Sequence, residues 1–125
     1  MALTGQCAVT VVKVDRTCIA ILDACEKYPL SHIVENLRQD NLRETVCFYS
    51  TGFFIQSNFK ALLEMATYAC NNNKFFGFNF AAEYLYETSK PEILNILEYS
   101  DFIFCNKEEA RAARKYLGPE LGIPG

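Results

Sequence analysis

"VCFYSTGFFIQSNFKALLEMATYACNNNKFFGFNF", residues 46–80, is the stretch on which the fold turns. Residues 46–50 form a short apolar and aromatic run that stops at Gly52, and its length and composition favour a buried strand. Ser57 then stands as a candidate helix cap. Phe59, Leu62, Leu63, Ala66 and Ala69 follow at helical spacing, and three successive asparagines close the element. Residues 74–80, "KFFGFNF", read as a second buried strand.

The same alternation continues toward the C-terminus. Residues 81–99 hold helical turns, with Pro91 acceptable at a helix start. Residues 101–105, "DFIFC", read as a third strand, and "KEEARAARKYLG" as a helix with Gly118 as its terminator. Strand, helix, strand, helix, strand, helix implies right-handed crossovers and a parallel sheet covered on both faces. Ligands of such sheets bind beyond the carboxyl ends of the strands. Residues 51–56, 79–84 and 106–109 are therefore where a site is expected. The tail "LGPELGIPG" holds three of the six glycines and two of the four prolines, so it is not expected to extend the helix. Three parallel strands make a thin architecture, and the chain is expected to be part of something larger.

Toward the N-terminus, residues 5–22 read as a β-hairpin about a turn at Asp15 and Arg16, both arms rich in β-branched and small apolar residues. A helix is expected over residues 31–39, with Ser31 as N-cap and Ile33, Val34 and Leu37 facing inward.

Bulk properties narrow the function. At 125 residues one domain is the default, and half the residues are apolar, as in a globular chain. A net charge of −3 argues against a dominant nucleic-acid footprint. No apolar run approaches the roughly 18 residues that a membrane span needs, and the first residues lack the pattern of a secretory leader. A cytosolic location is expected, with the nucleus as a second compartment. The six cysteines show no CxxC spacing and most fall inside apolar runs, so buried reduced thiols are expected.

Several side chains could carry chemistry. Asn106 and Glu109 have the spacing of a capping box, which is a sufficient structural account of them. The same geometry offers free N–H groups and a positive dipole end to phosphate, with Glu109 able to hold a water of hydrated magnesium. Arg16 is either a solvated turn charge or a guanidinium presented to a transferring phosphoryl group. Phe53, Phe54 and Tyr84 follow strand ends and either pack in the core or stack a flat base. His32, the only histidine, reads as a surface residue. There is no P-loop, GxSxG or GxGxxG.

Taken together, these positions resemble one family. "TGQCAVTVVKVDRTCIAIL" is similar to the Thr-Gly-x-Cys strand and following hairpin of the adenosine kinases, which belong to the ribokinase-like carbohydrate and purine kinases. "YSTGFF" resembles their Ala-Gly-Phe-Phe turn, "NNNKFFGFNFAAEYL" their Asn-Asn strand and the stretch after it, and "DFIFCNKEEA" their Asp-x-x-Phe-x-Asn-x-x-Glu-Ala segment. The match keeps order and spacing from Thr4 to about Gly118.

The resemblance implies a segment of a three-layer αβα domain. Residues 1–24 would supply a hairpin of a small lid sheet, and residues 25–125 part of the large nucleotide- and nucleoside-binding domain. It implies ATP-dependent phosphorylation of the adenosine 5′-hydroxyl, giving AMP, with magnesium as cofactor and adenosine and ATP as the partners of a complete, monomeric enzyme. Asn106 and Glu109 would organise magnesium and the phosphates, and Arg16 would stabilise charge on the transferring group. Cys7, Phe53 and Tyr84 would line the nucleoside pocket, and Ala20 and Leu22 would lie on the lid sheet that closes over it and excludes water.

The departures from the family matter. Asp15 stands beside Arg16, where a neutral residue is usual, so a local ion pair is expected to compete for the guanidinium. Cys18 replaces a larger aliphatic. The family's catalytic base is an Asp in a Gly-Ala-Gly-Asp loop, yet no Gly here is followed by Asp, and the N-terminal glycine pair that grips the ribose is also absent. The expectation is a catalytically incomplete fragment. Another ribokinase-like sugar or nucleoside kinase is the alternative within the class. A non-catalytic, flavodoxin-like interaction module is the alternative outside it.

Overall fold

A computed structural model describes residues 2–39 and 42–122. Expectations that touch residues 1, 40, 41 and 123–125 lie, to that extent, outside the described residues. The chain forms a two-stranded antiparallel sheet followed by a three-stranded parallel one. Strands β1 (Gln6–Val12) and β2 (Asp15–Ile21) make the hairpin. A 3₁₀ turn (Asp23–Lys27) and helix α1 (Leu30–Leu37) lead to β3 (Cys47–Thr51). Helix α2 (Phe54–Asn71), β4 (Phe75–Asn79), α3 (Leu85–Thr88), α4 (Lys90–Leu97), β5 (Phe102–Phe104) and α5 (Lys107–Leu121) complete it. The parallel sheet has the order β3-β4-β5, as the sequence alternation predicts.

The core lies on one face of that sheet. Side chains alternate along a strand, and Phe48, Phe76 and Phe78 point to the helical side with Leu62, Ala66, Ile93 and Leu117. Tyr86 is fully buried in the same cluster. The opposite face carries Tyr49, Phe75, Phe102 and Phe104, all about half exposed. They form two aromatic pairs, Tyr49 with Phe104 at 5.7 Å and Phe75 with Phe102 at 5.4 Å between ring centroids. The expectation of a sheet covered on both faces is therefore met on one face only by the described residues.

Local differences have local causes. The hairpin turns at Lys13 and Val14 rather than at Asp15 and Arg16, because Asp15 pairs with Val12 and Arg16 with Val11. Lys13 takes the left-handed backbone (φ 56°) that this two-residue turn requires. Helix α1 starts one residue early, with Pro29 rather than Ser31 at its N-cap. Proline's fixed φ and missing N–H suit it to a helix entrance. In α2 the cap is Asn58, not Ser57. Asn58 is extended (φ −166°, ψ 93°), and its Oδ1 accepts the Ala61 N–H at 3.1 Å. One turn thus precedes Asn58, and a longer helix follows it.

Helix α5 runs through Gly118 and Pro119, against the expectation that it would stop. Buried Leu117 and Gly118 hold it to the core, and Lys90 Nζ meets Glu120 Oε1 at 2.5 Å. Gly122 then ends the helix in the left-handed conformation (φ 67°), its N–H donating to the Gly118 carbonyl. The six cysteines are free, as expected, but all are exposed rather than buried.

Candidate active site: the carboxyl edge of the sheet and the hairpin

Backbone contacts bind the carboxyl ends of the three parallel strands to one another. The Gly52 N–H donates to the Asn79 carbonyl at 2.7 Å. Asn79 Nδ2 and the Phe80 N–H both donate to the Phe104 carbonyl, each at 3.1 Å. A Cβ on residue 52 would lie 2.8 Å from the Phe80 carbonyl oxygen and 2.9 Å from that of Asn79. Only glycine allows this turn to close, and the turn in turn presents Phe53, about half exposed, at the N-cap of α2. Asn79, within the candidate segment 79–84, thus ties β4 to β5 through its side chain. Its signal in the sequence was a polar residue ending an otherwise aromatic strand.

Tyr84 stands on the same edge, also about half exposed. Its hydroxyl donates to Gln56 Oε1 at 2.9 Å, so the aromatic after β4 is tied to the first turn of α2, beside Phe53. Phe54 instead packs against the core and meets Tyr28 edge-on at 5.1 Å. His32 is exposed, its ring 5.5 Å from that of Tyr28.

At the third strand end, Asn106 and Glu109 form a complete capping box. The Glu109 N–H donates to Asn106 Oδ1 at 2.8 Å and the Asn106 N–H to Glu109 Oε2 at 3.0 Å. Asn106 Nδ2 also donates to Glu109 Oε1 at 2.8 Å. The Tyr86 hydroxyl, from the core, donates to the Glu109 carbonyl at 3.0 Å. Burial first, then the charge of Glu109, pushes the Tyr86 phenol well above its ordinary range.

A magnesium ion can be tested against this donor set. No group of three or more His, Cys, Asp or Glu that could hold a metal occurs among the described residues, so a direct protein cage does not fit. A water-mediated role for Glu109 does fit. Each carboxylate oxygen accepts one bond within the cap and keeps a further acceptor position, and magnesium usually keeps several waters.

The hairpin carries the remaining candidates. Cys7 lies directly across from Ala20 and Arg16 across from Val11, so alternation puts Cys7, Arg16 and Ala20 on one face. Leu22 ends this run, where its carbonyl accepts the Cys25 N–H at 2.8 Å. Both strands are exposed throughout. No ion pair joins Arg16 to Asp15 among the described residues, so the expected competition for the guanidinium does not occur in this conformation. Three groups result: Cys7 with Ala20 and Arg16, Phe53 with Tyr84, and Asn106 with Glu109. No hydrogen bond, ion pair or ring contact joins one group to another among the described residues. A groove of about 310 Å³ lies elsewhere, between α1 and α2, lined by Val34, Leu37, Tyr68 and Asn72.

A three-stranded parallel β–α sheet with a capped helix and a glycine turn at its carboxyl edge, preceded by an antiparallel hairpin, defines a segment of the α/β class. Comparison with known proteins makes this specific. No family model matches the chain. It is 30% identical over 109 residues to the adenosine kinase of Schizophyllum commune, covering 87% of this chain and 32% of that enzyme. It is 32% identical over 119 residues to adenosine kinase 2 of Arabidopsis thaliana, covering 95% and 34%. The structure superposes with a TM-score of 0.81 on Anopheles gambiae adenosine kinase in complex with P1,P4-di(adenosine-5) tetraphosphate, at 30% identity, covering 95% of this chain and 36% of that one. Schistosoma mansoni adenosine kinase in complex with adenosine gives the same TM-score at 28% identity, covering 94% and 34%. In sequence and in fold the chain matches a segment of adenosine kinase, a phosphotransferase. It spans about a third of the length of the curated relatives it matches.

Proposed function

We propose that the chain is the part of an adenosine kinase that supplies the lid hairpin and the nucleoside- and phosphate-facing edge of the sheet. The complete enzyme would transfer the terminal phosphate of ATP to the 5′-hydroxyl of adenosine, yielding AMP in purine salvage, and would act as a monomer. The observation that carries this reading is the co-linear similarity to adenosine kinases over nearly the whole chain, in sequence and in fold.

In this reading Phe53 and Tyr84 stack the purine, with Cys7, Ala20 and Leu22 closing over it from the hairpin. Arg16 meets charge on the transferring phosphoryl group, where its planar fork of donors matches phosphate oxygens. The N-terminus of α5 faces the phosphates with its free N–H groups. Glu109 would hold a magnesium ion through one of its waters, and the ion would supply neutralisation of phosphate charge. Transfer also needs a base and an anion hole. The chain has no Gly-Asp step to provide them, so it is expected to bind nucleoside without turning it over.

Titration of the isotopically labelled chain with adenosine, and separately with ribose, tests this reading. Adenosine should shift the resonances of Phe53 and Tyr84, and no AMP should form with ATP and magnesium present. A response to ribose alone would point to a sugar kinase. No response to adenosine at those two residues would overturn the nucleoside assignment.

A further inference from the structure

Gln56 has no part in the chemistry proposed above, yet it touches the site. It follows Phe53 by one helical turn, and its N–H donates to the Phe53 carbonyl at 3.2 Å. Residues three apart on a helical turn share a face, so Phe53 and Gln56 leave the turn on one side. Gln56 Oε1 also accepts the Tyr84 hydroxyl at 2.9 Å, from twenty-eight residues away. Among the described residues no other side chain is hydrogen-bonded to that hydroxyl.

The two ends of this bond are held unequally. The turn that carries Gln56 is firm. The Ile55 N–H donates to the Gly52 carbonyl at 3.1 Å, Ile55 is buried, and Gly52 is itself bound to Asn79. The segment that carries Tyr84 has fewer supports. Ala81 takes the left-handed backbone (φ 65°), α3 is only four residues long, and Tyr84 stands at its N-cap without a side-chain cap bond. Buried Leu85 and Tyr86 anchor the backbone that follows, but the Tyr84 ring is about half exposed. A half-exposed tyrosine has more than one staggered rotamer open to it, and the bond to Gln56 selects one.

We propose that Gln56 is a positioning residue for the purine: it holds the Tyr84 ring in the rotamer that stacks the base beside Phe53. This rests on the reading of Phe53 and Tyr84 as the nucleoside contacts. A ring fixed in advance does not have to be ordered when the ligand arrives, and affinity rises by the cost avoided. The role makes one chemical demand on residue 56, which is to accept a hydrogen bond from a phenol. A carboxylate meets that demand and an aliphatic side chain does not.

The test is titration of the whole labelled chain with adenosine, beside Gln56→Leu, Gln56→Glu, Tyr84→Phe and the double variant of Gln56→Leu with Tyr84→Phe. Losing one such bond should raise the adenosine Kd about two- to tenfold in Gln56→Leu. Tyr84→Phe should show the same loss, and the double variant should bind no more weakly than either single one, because all three lack the same bond. Gln56→Glu should bind as the parent does. Urea midpoints separate this role from one in folding. A lowered midpoint in Gln56→Leu with adenosine affinity unchanged would make the residue structural only and overturn the proposal. Additive losses in the double variant, or no recovery with glutamate, would overturn it as well. A parent chain that binds adenosine no differently from Gln56→Leu removes the role of Gln56 alone, whereas a parent that does not respond to adenosine removes the nucleoside reading and this proposal with it.

Discussion

The Gly52 N–H donates to the Asn79 carbonyl at 2.7 Å, across the carboxyl ends of β3 and β4. Two backbone carbonyl oxygens lie within 3.0 Å of where a Cβ would stand on residue 52. Neither can swing aside as a side chain would. Gly52→Ala should therefore destabilise the chain by about 1–3 kcal/mol, the range for overpacking a close contact. Urea unfolding followed by circular dichroism measures this. A midpoint unchanged from the parent would show that the turn is looser than its distances imply.

Asn106→Ala removes the acceptor for the Glu109 N–H and the amide donor to its carboxylate. Loss of such a cap costs about 1 kcal/mol. Asn106→Ser keeps a cap acceptor and should recover most of that loss. Urea midpoints of the two variants check the order. If alanine and serine were equally destabilising, the cap would not be what Asn106 contributes to stability.

Much of this arrangement was legible in the sequence, for a physical reason. Hydrophobic periodicity reports which residues must leave water, and Phe76, Phe78, Leu62 and Ala66 did so as read. The Asn106–Glu109 cap was equally visible because its interactions span three residues. What stayed hidden depends on partners distant in sequence. Asn58 is a cap partly because it also reaches the Tyr28 carbonyl, thirty residues away. Helix α5 passes Pro119 because Leu117 is buried and Lys90 meets Glu120. Exposure of Cys7, Cys18 and Cys47 stays hidden because an apolar strand looks alike whether one face or both are covered.

The buried Tyr86 phenol predicts an alkaline loss of stability. Its folded-state pKa is raised by burial, then by the charge of Glu109. In the unfolded chain it ionises near 10. As pH rises through about 10 the unfolded state releases its proton while the folded state keeps it, so stability falls with increasing pH. Below that range the contribution is fully present. Tyr86→Phe loses the hydrogen bond to the Glu109 carbonyl and should be somewhat less stable at neutral pH, with a shallower alkaline decline. Unfolding midpoints of both chains across pH 8 to about 11 make the comparison, and parallel declines would refute it.

Asn58 couples the segment after the hairpin to the sheet domain. Its Nδ2 donates to the Tyr28 carbonyl at 2.9 Å, and its Oδ1 caps the long part of α2. Tyr28 then meets Phe54 edge-on. Asn58→Ala removes both roles and should cost about 2 kcal/mol, a cap and a hydrogen bond at about 1 kcal/mol each. Asn58→Ser keeps the cap acceptor but is too short to reach Tyr28, so about half the loss should return. The lost tether has its own signature. Exposed Lys27, just before Tyr28, should become a faster site of tryptic cleavage in both variants, because local opening there no longer breaks the bond from Asn58. If serine restored stability and also left cleavage at Lys27 as slow as in the parent, the bond to Tyr28 would contribute nothing to holding the two parts together.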